Sequence, residues 1–224
     1  MSNFLGDPTP RSRSPIISAA EVIAREGVEL HKSMNFRDDE FMLSVFLVIP
    51  RERGYVDLWD DENQQFIFEG HDSTTLESGK SVDQLAMYES GKLTDNGKFL
   101  KAANAFKDGI RKEPLQIQVY EKIDAGVFFD KGIFDLIDAR QVSESGRKVF
   151  KFYLTLAETR GGYDEHDPDR IERLIPAAIK AEVWKRDKGR CTECYTESDL
   201  HFAGTTSVSL KCSAHSGRAK RGLL

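Results

Sequence analysis

The chain of 224 residues contains no apolar run near the roughly 20 residues that a membrane-spanning helix needs. Its longest apolar run, residues 41–49, has the length and composition of a buried strand. No apolar segment follows a basic start at the N-terminus, so the sequence predicts no secretory signal. Cysteine is scarce, with three residues that are spaced like metal ligands, and this fits a reducing cytoplasm. We therefore expect a cytoplasmic protein that makes no membrane contact.

The three cysteines and one histidine form two close pairs near the C-terminus. Cys191 and Cys194 are separated by two residues, as are Cys212 and His215. Two such pairs supply the four ligands of a tetrahedral structural zinc site. The alternative is a chance grouping of thiols near a basic tail. The spacing favours bound Zn²⁺.

The sequence around these pairs resembles the HNH endonuclease family. The matching segments are Ile175-Pro176, Val183-Trp184-Lys185-Arg186-Asp187-Lys188-Gly189-Arg190-Cys191 and Leu200-His201-Phe202. The resemblance implies a small ββα-metal, treble-clef-like module that binds zinc. In the family, a catalytic histidine follows Leu-His-Phe and a further ligand for the catalytic metal follows the second pair. This chain has Ala203, Gly204 and Ser216 at those places.

The nuclease centre therefore looks degenerate, and no catalytic residue is assigned; His201 is only a weak candidate. Mg²⁺ or another divalent ion would be needed only if cleavage survives.

Charge is unevenly distributed along the chain. The net charge is -5, but residues 171–224 carry ten Lys or Arg and six Asp or Glu, which leaves residues 1–170 at -9. A basic terminal module on an acidic body suits contact with phosphates, and Arg218, Lys220 and Arg221 are candidate DNA contacts. A solvated basic tail is the equally weighted alternative.

Patterning predicts an α+β domain. Ser18 and Glu21 form a capping-box pattern for a helix that extends to about residue 32, and further helices are expected over residues 96–111 and 177–188. Short runs of branched and aromatic residues predict strands at 66–68, 117–120, 126–129, 134–137 and 149–154. Strands with embedded helices indicate a barrel-like α+β domain.

The central region resembles the SRA domain family in a collinear set of short motifs. These are Gly54-Tyr55-Val56-Asp57, Phe66-Ile67-Phe68-Glu69-Gly70, Lys80-Ser81-Val82-Asp83-Gln84, Leu93-Thr94-Asp95-Asn96-Gly97, Ile117-Gln118-Val119-Tyr120, Phe134-Asp135-Leu136-Ile137 and Val149-Phe150-Lys151-Phe152. The resemblance implies a PUA-like β-barrel with flanking helices that flips a modified cytosine out of DNA and encloses it.

The same resemblance implies roles for individual residues. Tyr55 and Phe68 fall where the family places aromatic side chains that stack on the flipped base, although aromatic core residues are the alternative. Asp57 is the candidate acceptor for the exocyclic amine, with Asp60 as its rival and a turn carboxylate as the alternative. Glu69 could accept a hydrogen bond from a hydroxymethyl group. The loop that contains Lys80 corresponds to the one that enters the DNA groove, with an idle surface loop as the alternative.

An SRA-like reader joined to an HNH module is the arrangement of modification-dependent restriction endonucleases. We expect residues 1–36 to form a disordered leader and a helix, 37–157 the reader, 158–170 a linker and 171–224 a truncated zinc module. The predicted partner is double-stranded DNA with 5-methyl- or 5-hydroxymethylcytosine, and a homodimer is compatible with the sequence. Two alternatives stay open: an active endonuclease, and a zinc-stabilised module that binds protein.

Overall fold

A computed structural model of the chain shows a mixed α+β fold with one large sheet and a small C-terminal unit. The structure describes residues 14–38, 42–49, 58–60, 62–63, 65–72, 82–157, 172, 175–204 and 207–215. None of the helices described there is long and apolar enough to cross a membrane. The leader predicted at the N-terminus and the predicted linker at 158–170 fall almost entirely outside these residues.

Ten strands and three helices are described. The strands are β1 Ile16–Ser18, β2 Met34–Asn35, β3 Ser44–Val48, β4 Leu58–Asp60, β5 Gln65–Glu69, β6 Leu115–Asp124, β7 Val127–Glu144, β8 Arg147–Leu156, β9 Leu200–Ala203 and β10 Ser209–Cys212. The helices are α1 Ala19–Glu26, α2 Asp95–Lys107 and α3 Ala177–Arg186.

The first eight strands form one sheet in the order β2-β3-β6-β7-β8-β5-β4, with β1 paired to β7. Only β3 and β6 run parallel; the other neighbours are antiparallel. The expected closed barrel is therefore not present among the described residues. The two end strands, β2 and β4, are two and three residues long, and such short edges offer little backbone for closing the sheet.

One long strand replaces the two that were predicted over 126–129 and 134–137. Strand β7 runs through both segments, and its pairing with β6 and β8 shifts register at Val119/Tyr120 and Leu136/Asp138. A β-bulge bends a strand and interrupts its side-chain alternation without ending it, which is why the sequence looked like two strands. The prediction of a buried strand near residues 41–49 is confirmed by β3, in which every residue is buried.

The helices begin where the sequence predicts them, within one residue, and end earlier. Ser18 caps α1 and exchanges hydrogen bonds with Glu21, so the predicted capping box is confirmed. The helix stops at Glu26 because Gly27 adopts the left-handed conformation with φ 60°. Helices α2 and α3 likewise stop four and two residues before the predicted ends, at Lys107 and Arg186.

The main core lies between the sheet and α2. At its centre, the rings of Phe46 and Phe68 stack with centroids 4.2 Å apart, and Phe99 of α2 packs edge-on against Phe46. All three side chains are buried. This aromatic centre fixes β5 against β3 and α2.

The C-terminal module, defined here as α3 with the β9–β10 hairpin and its cysteines, packs directly on the large sheet. Phe202 of β9 contacts Phe129 of β7 with ring centroids 6.0 Å apart, and Val183 of α3 joins the same cluster. The segment just before β1 contributes as well, since the Ser14 hydroxyl donates a hydrogen bond to the Leu200 carbonyl at 2.6 Å.

Candidate functional site

The predicted ligands Cys191, Cys194, Cys212 and His215 come together. Their ligand atoms all lie within 4.8 Å of one another, and the three cysteines form no disulfide. The Sγ atoms of Cys194 and Cys212 are 3.6 Å apart, and Nδ1 of His215 lies 3.2 Å from the Cys212 Sγ. Tetrahedral Zn–S bonds of about 2.3 Å separate two sulfurs by about 3.8 Å. The donors therefore fit a structural Zn²⁺, and these four residues, named the Cys/His cluster below, could hold it.

Local backbone geometry sets up this cluster. A tight turn joins the first two cysteines: the Tyr195 N–H donates to the Cys191 carbonyl at 2.9 Å, and Tyr195 has φ 61°. The β9–β10 hairpin supplies Cys212, which pairs with Leu200 across the strands. Two short sequence pairs are thus brought together by one turn and one hairpin.

The environment of Cys191 favours its thiolate form. Burial opposes ionisation, but hydrogen bonds from the backbone of Cys194, Glu193 and Cys212 outweigh it and lower the pKa of Cys191 to about 6. The thiolate is the form that ligates metal. The arrangement could therefore bind a structural zinc ion.

A second candidate site lies at one end of the β4–β5 hairpin. Strand β4 begins at Leu58, directly after the segment that holds Tyr55 and Asp57, and β5 ends at Glu69, shortly before the segment that holds Lys80. The two strands are antiparallel, with Leu58 paired to Ile67. The entry to β4 and the exit from β5 therefore lie side by side. This position, called the sheet end below, is where both predicted DNA-contacting segments join the sheet.

Two buried amides fix the chain as it leaves β5. Nε2 of Gln84 donates to the Gly70 carbonyl at 2.7 Å, while its Oε1 accepts from the Phe150 N–H at 2.7 Å. Asn96 binds both backbone groups of His71, at 3.0 and 2.7 Å. A Cβ on Gly70 would lie 2.5 Å from Oδ1 of Asn96, so this close approach requires glycine.

Charged side chains complete the sheet end. Arg147, at the start of β8, contacts Asp72 at 2.6 Å and Glu69 at 3.3 Å through its guanidinium. The same group reaches the Val82 carbonyl at 3.4 Å, so one side chain contacts the last residue before, and the first residue after, the undescribed stretch 73–81. Lys151 binds the other oxygen of Glu69 at 2.9 Å. This network could not be predicted from the sequence, because its members come from three separate segments.

The described base-binding candidates, Phe68 and Glu69, both already have close partners within the protein. Phe68 is buried in the core and is 2% exposed, so stacking on a base would require its ring to leave Phe46. Both Glu69 oxygens contact cations, and a hydroxymethyl group would have to compete with them. Tyr55, Asp57 and Lys80 lie outside the described residues, and their roles stay predictions.

The structure separates Asp60 from the sheet end. Asp60 is the last residue of β4, and its carboxylate accepts hydrogen bonds from the Asn63 side chain at 2.8 Å and from the backbone of Glu62 and Asn63. These bonds, led by the Asn63 side chain, lower the pKa of Asp60. It is therefore a turn-forming carboxylate at the opposite end of β4 from the sheet end.

The weak catalytic candidate His201 lies on β9, opposite Lys211, and is 3% exposed. Strand alternation points its side chain away from the face that Leu200 and Phe202 share. Ala203 ends the strand, and Gly204 follows it. The basic residues Arg218, Lys220 and Arg221 fall outside the described residues.

No family model matches the sequence, and no curated protein matches it. Among solved structures, the chain is similar to the SRA domain of SUVH5 in complex with hemi-methylated CG DNA, at 15% identity and a TM-score of 0.45, covering 71% of this chain and 96% of that one. The SUVH5 SRA domain bound to fully hydroxymethylated CG DNA gives 14% identity and a TM-score of 0.43, over 65% and 87% of the two chains. The DNA modification-dependent restriction endonuclease AspBHI gives 15% identity and a TM-score of 0.45, over 74% of each chain. These structural similarities are distant.

Proposed function

We propose that this chain binds double-stranded DNA that contains 5-methyl- or 5-hydroxymethylcytosine, and that it flips the modified base into a pocket at the sheet end. The observation that carries the proposal is the register of β4 and β5. Two sequence segments that resemble DNA-contacting parts of SRA domains join the sheet side by side, although about 25 residues separate Tyr55 from Lys80.

The pocket needs flat apolar surface for the base and a polar acceptor for its pairing edge, since unstacking costs a few kcal/mol. Tyr55 supplies the stacking surface in this proposal, and Asp57 accepts a hydrogen bond from the exocyclic amine. Phe68 supports the pocket from the core behind it. The bonds of Gln84 and Asn96 to Gly70 and His71 hold the adjacent backbone in place, which limits the ordering cost of binding.

The C-terminal module serves, in this proposal, as a zinc-stabilised platform that adds phosphate contacts through Arg218, Lys220 and Arg221. Its sequence resembles an HNH nuclease module without the base histidine, and the weak catalytic candidate, His201, is buried. General-base assistance contributes typically 10²–10⁴-fold to a hydrolysis, so its loss leaves binding without efficient cleavage.

A titration with three matched duplexes tests the proposal. Unmodified, methylated and hydroxymethylated duplexes should bind with affinity that falls as salt rises, and a modified duplex should bind most tightly. Equal affinity for all three would contradict the reader function, and absence of salt-dependent DNA binding would favour a protein-interaction module.

Two carboxylates offer a matched pair of variants. Asp57→Asn should reduce the preference for modified DNA, because the amide offers the base a weaker acceptor. Asp60→Asn should leave that preference unchanged, because Asp60 is bound within its own turn. Reversal of the two outcomes would move the pocket to the other end of β4.

Incubation of the bound complex with Mg²⁺, Mn²⁺, Co²⁺ or Ni²⁺ tests the nuclease alternative. We expect no cleavage while binding persists. Metal-dependent nicking that disappears in His201→Ala would restore the endonuclease function.

A further inference from the structure

Three buried charges lie between the large sheet and the C-terminal module. Glu121 of β6, Lys131 of β7 and Lys180 of α3 have side chains that are 2%, 2% and 0% exposed. Nζ of Lys131 lies 2.7 Å from one Glu121 oxygen, and Nζ of Lys180 bonds the other. One carboxylate of the sheet thus joins a lysine of its own sheet to a lysine of the module.

Two further neighbours, an aromatic ring and a second carboxylate, stabilise Lys180 at the interface. Its ammonium lies 3.5 Å from the centre of the Phe129 ring, on β7. Glu172, which precedes α3 and is 3% exposed, adds a favourable charge and accepts a hydrogen bond from the Phe202 N–H of β9. The cluster therefore links β6, β7, α3 and β9 at a single point.

The Glu121 carboxylate and the Lys180 ammonium respond differently to burial. Glu121 keeps its charge: burial opposes ionisation, but Lys131 and Lys180 outweigh it and lower the pKa of Glu121. For Lys180 the balance is reversed, because burial dominates and Lys131 repels it, so that its pKa falls to about 7 despite Glu121. Burial therefore favours the neutral amine of Lys180 over its ammonium form.

We propose that Lys180 is a proton-sensitive latch that seats the C-terminal module on the sheet, and that the module seats more firmly as the pH rises. When Lys180 releases its proton to solvent, the Glu121–Lys131 pair stays buried as a matched pair, and the neutral amine still donates a hydrogen bond to Glu121. This device is independent of the proposed DNA binding, since it uses none of the residues of the sheet end.

The direction follows from proton linkage. With the module detached and Lys180 in water, its pKa returns to about 10.4, so the detached form binds more protons between pH 7 and 10. Seating therefore strengthens with rising pH across this window and is weakest below pH 7, where Lys180 is charged in both forms. Between pH 6 and 8.5 the seating equilibrium should change about thirtyfold.

Other groups of the interface could mimic this dependence. His201 of β9 and Glu172 are also buried at this interface, and the Cys/His cluster would bind metal more tightly as its ligands lose protons. A substitution of Lys180 itself separates these contributions.

Hydrogen exchange of the zinc-loaded full chain at pH 6 and 8.5 tests the latch. Protection factors, corrected for intrinsic rates, should rise about thirtyfold in α3 and should stay level in β8. Lys180→Met should keep α3 protected and abolish the rise, because Met replaces the buried amine with an apolar side chain of similar length. Lys185→Met, an exposed change on the same helix, should leave the rise intact.

Three outcomes would overturn the latch. The first is protection of α3 that does not depend on pH in the unaltered chain. The second is a pH dependence of α3 protection that persists in Lys180→Met. The third is loss of this pH dependence in Lys185→Met to the same extent as in Lys180→Met. If Lys180→Met fails to fold, Glu121→Gln gives a second test: without its carboxylate, the buried ammonium should make α3 less protected at pH 6 than in the unaltered chain.

Discussion

The Cys/His cluster and the sheet end are assembled over very different lengths of chain. The cluster uses two pairs with two intervening residues each, joined by one hairpin. The sheet end unites Gly70, Gln84, Asn96 and Arg147, which come from four separate segments. The spacing of two local ligand pairs indicates a metal site directly from the sequence. A site built from long-range contacts can be recognised only when the strand register is known.

The two regions also differ in what would stabilise them. A module of this size buries little apolar surface of its own, so metal should contribute much of its stability. The sheet end relies instead on buried amides and ion pairs that are supported by the aromatic core. Loss of metal should therefore affect one region far more than the other.

Removal of a metal ligand should have the largest effect. Structural zinc contributes apparent binding energies of about 10–16 kcal/mol in small zinc domains, so Cys194→Ser should release zinc and unfold the β9–β10 hairpin. Zinc content per chain and hydrogen exchange of both regions would measure this. Ser198→Ala, an exposed change within the same module, should retain zinc, and a purified chain without stoichiometric zinc would contradict the metal site.

Truncation of an aromatic core side chain should have the second-largest effect, on the free energy of unfolding. Phe68→Ala should lower the free energy of unfolding by about 3–5 kcal/mol, because the Phe46 ring loses its stacking partner and a cavity remains. Denaturant titration would show it. The exposed Tyr88→Ala should change stability by less than about 0.5 kcal/mol. If Phe68→Ala instead leaves stability intact and selectively weakens binding to modified DNA, Phe68 is a stacking residue after all.

Loss of the guanidinium at the sheet end should come third. Arg147→Met leaves Asp72 and Glu69 short of a buried partner, and such losses cost about 3 kcal/mol. Arg140→Met removes an exposed ion pair and should cost at most about 1 kcal/mol. Comparable losses in the two variants, measured by denaturant titration, would show that the sheet end is not a buried network.

Parts of both regions could be predicted from the sequence, for identifiable reasons. Ser18 and Glu21 act over three residues, and β3 is a continuous apolar run, so local rules sufficed for both. A barrel was predicted from the patterning and from the family resemblance, whereas the described strands form an open sheet with very short end strands. The sequence predicted two strands in place of β7 because β-bulges interrupt the alternation of its side chains.

The supporting residues of the sheet end could not be recognised as such. Gln84 and Asn96 stood within motifs that resemble SRA domains, yet their partners lie 14 and 25 residues away in sequence. Gly97 gave no signal either, although a Cβ there would lie 1.9 Å from the Ala86 carbonyl oxygen. Glu121 and Lys180 are likewise 59 residues apart, and charged residues in a sequence predict exposure, not a buried pair.

The most direct test of base reading at the sheet end is a fluorescence measurement of base flipping. A duplex with 2-aminopurine beside the modified cytosine should brighten when the chain binds, and the matched unmodified duplex should not. Tyr55→Ala should weaken binding to the modified duplex by about 1–3 kcal/mol and suppress this signal, because the flipped base loses its stacking surface. Tyr195→Ala, in the exposed turn of the Cys/His cluster, should preserve both the signal and the preference. Tight binding to modified DNA with no change in fluorescence, or equal losses in the two variants, would contradict a flipped base at the sheet end.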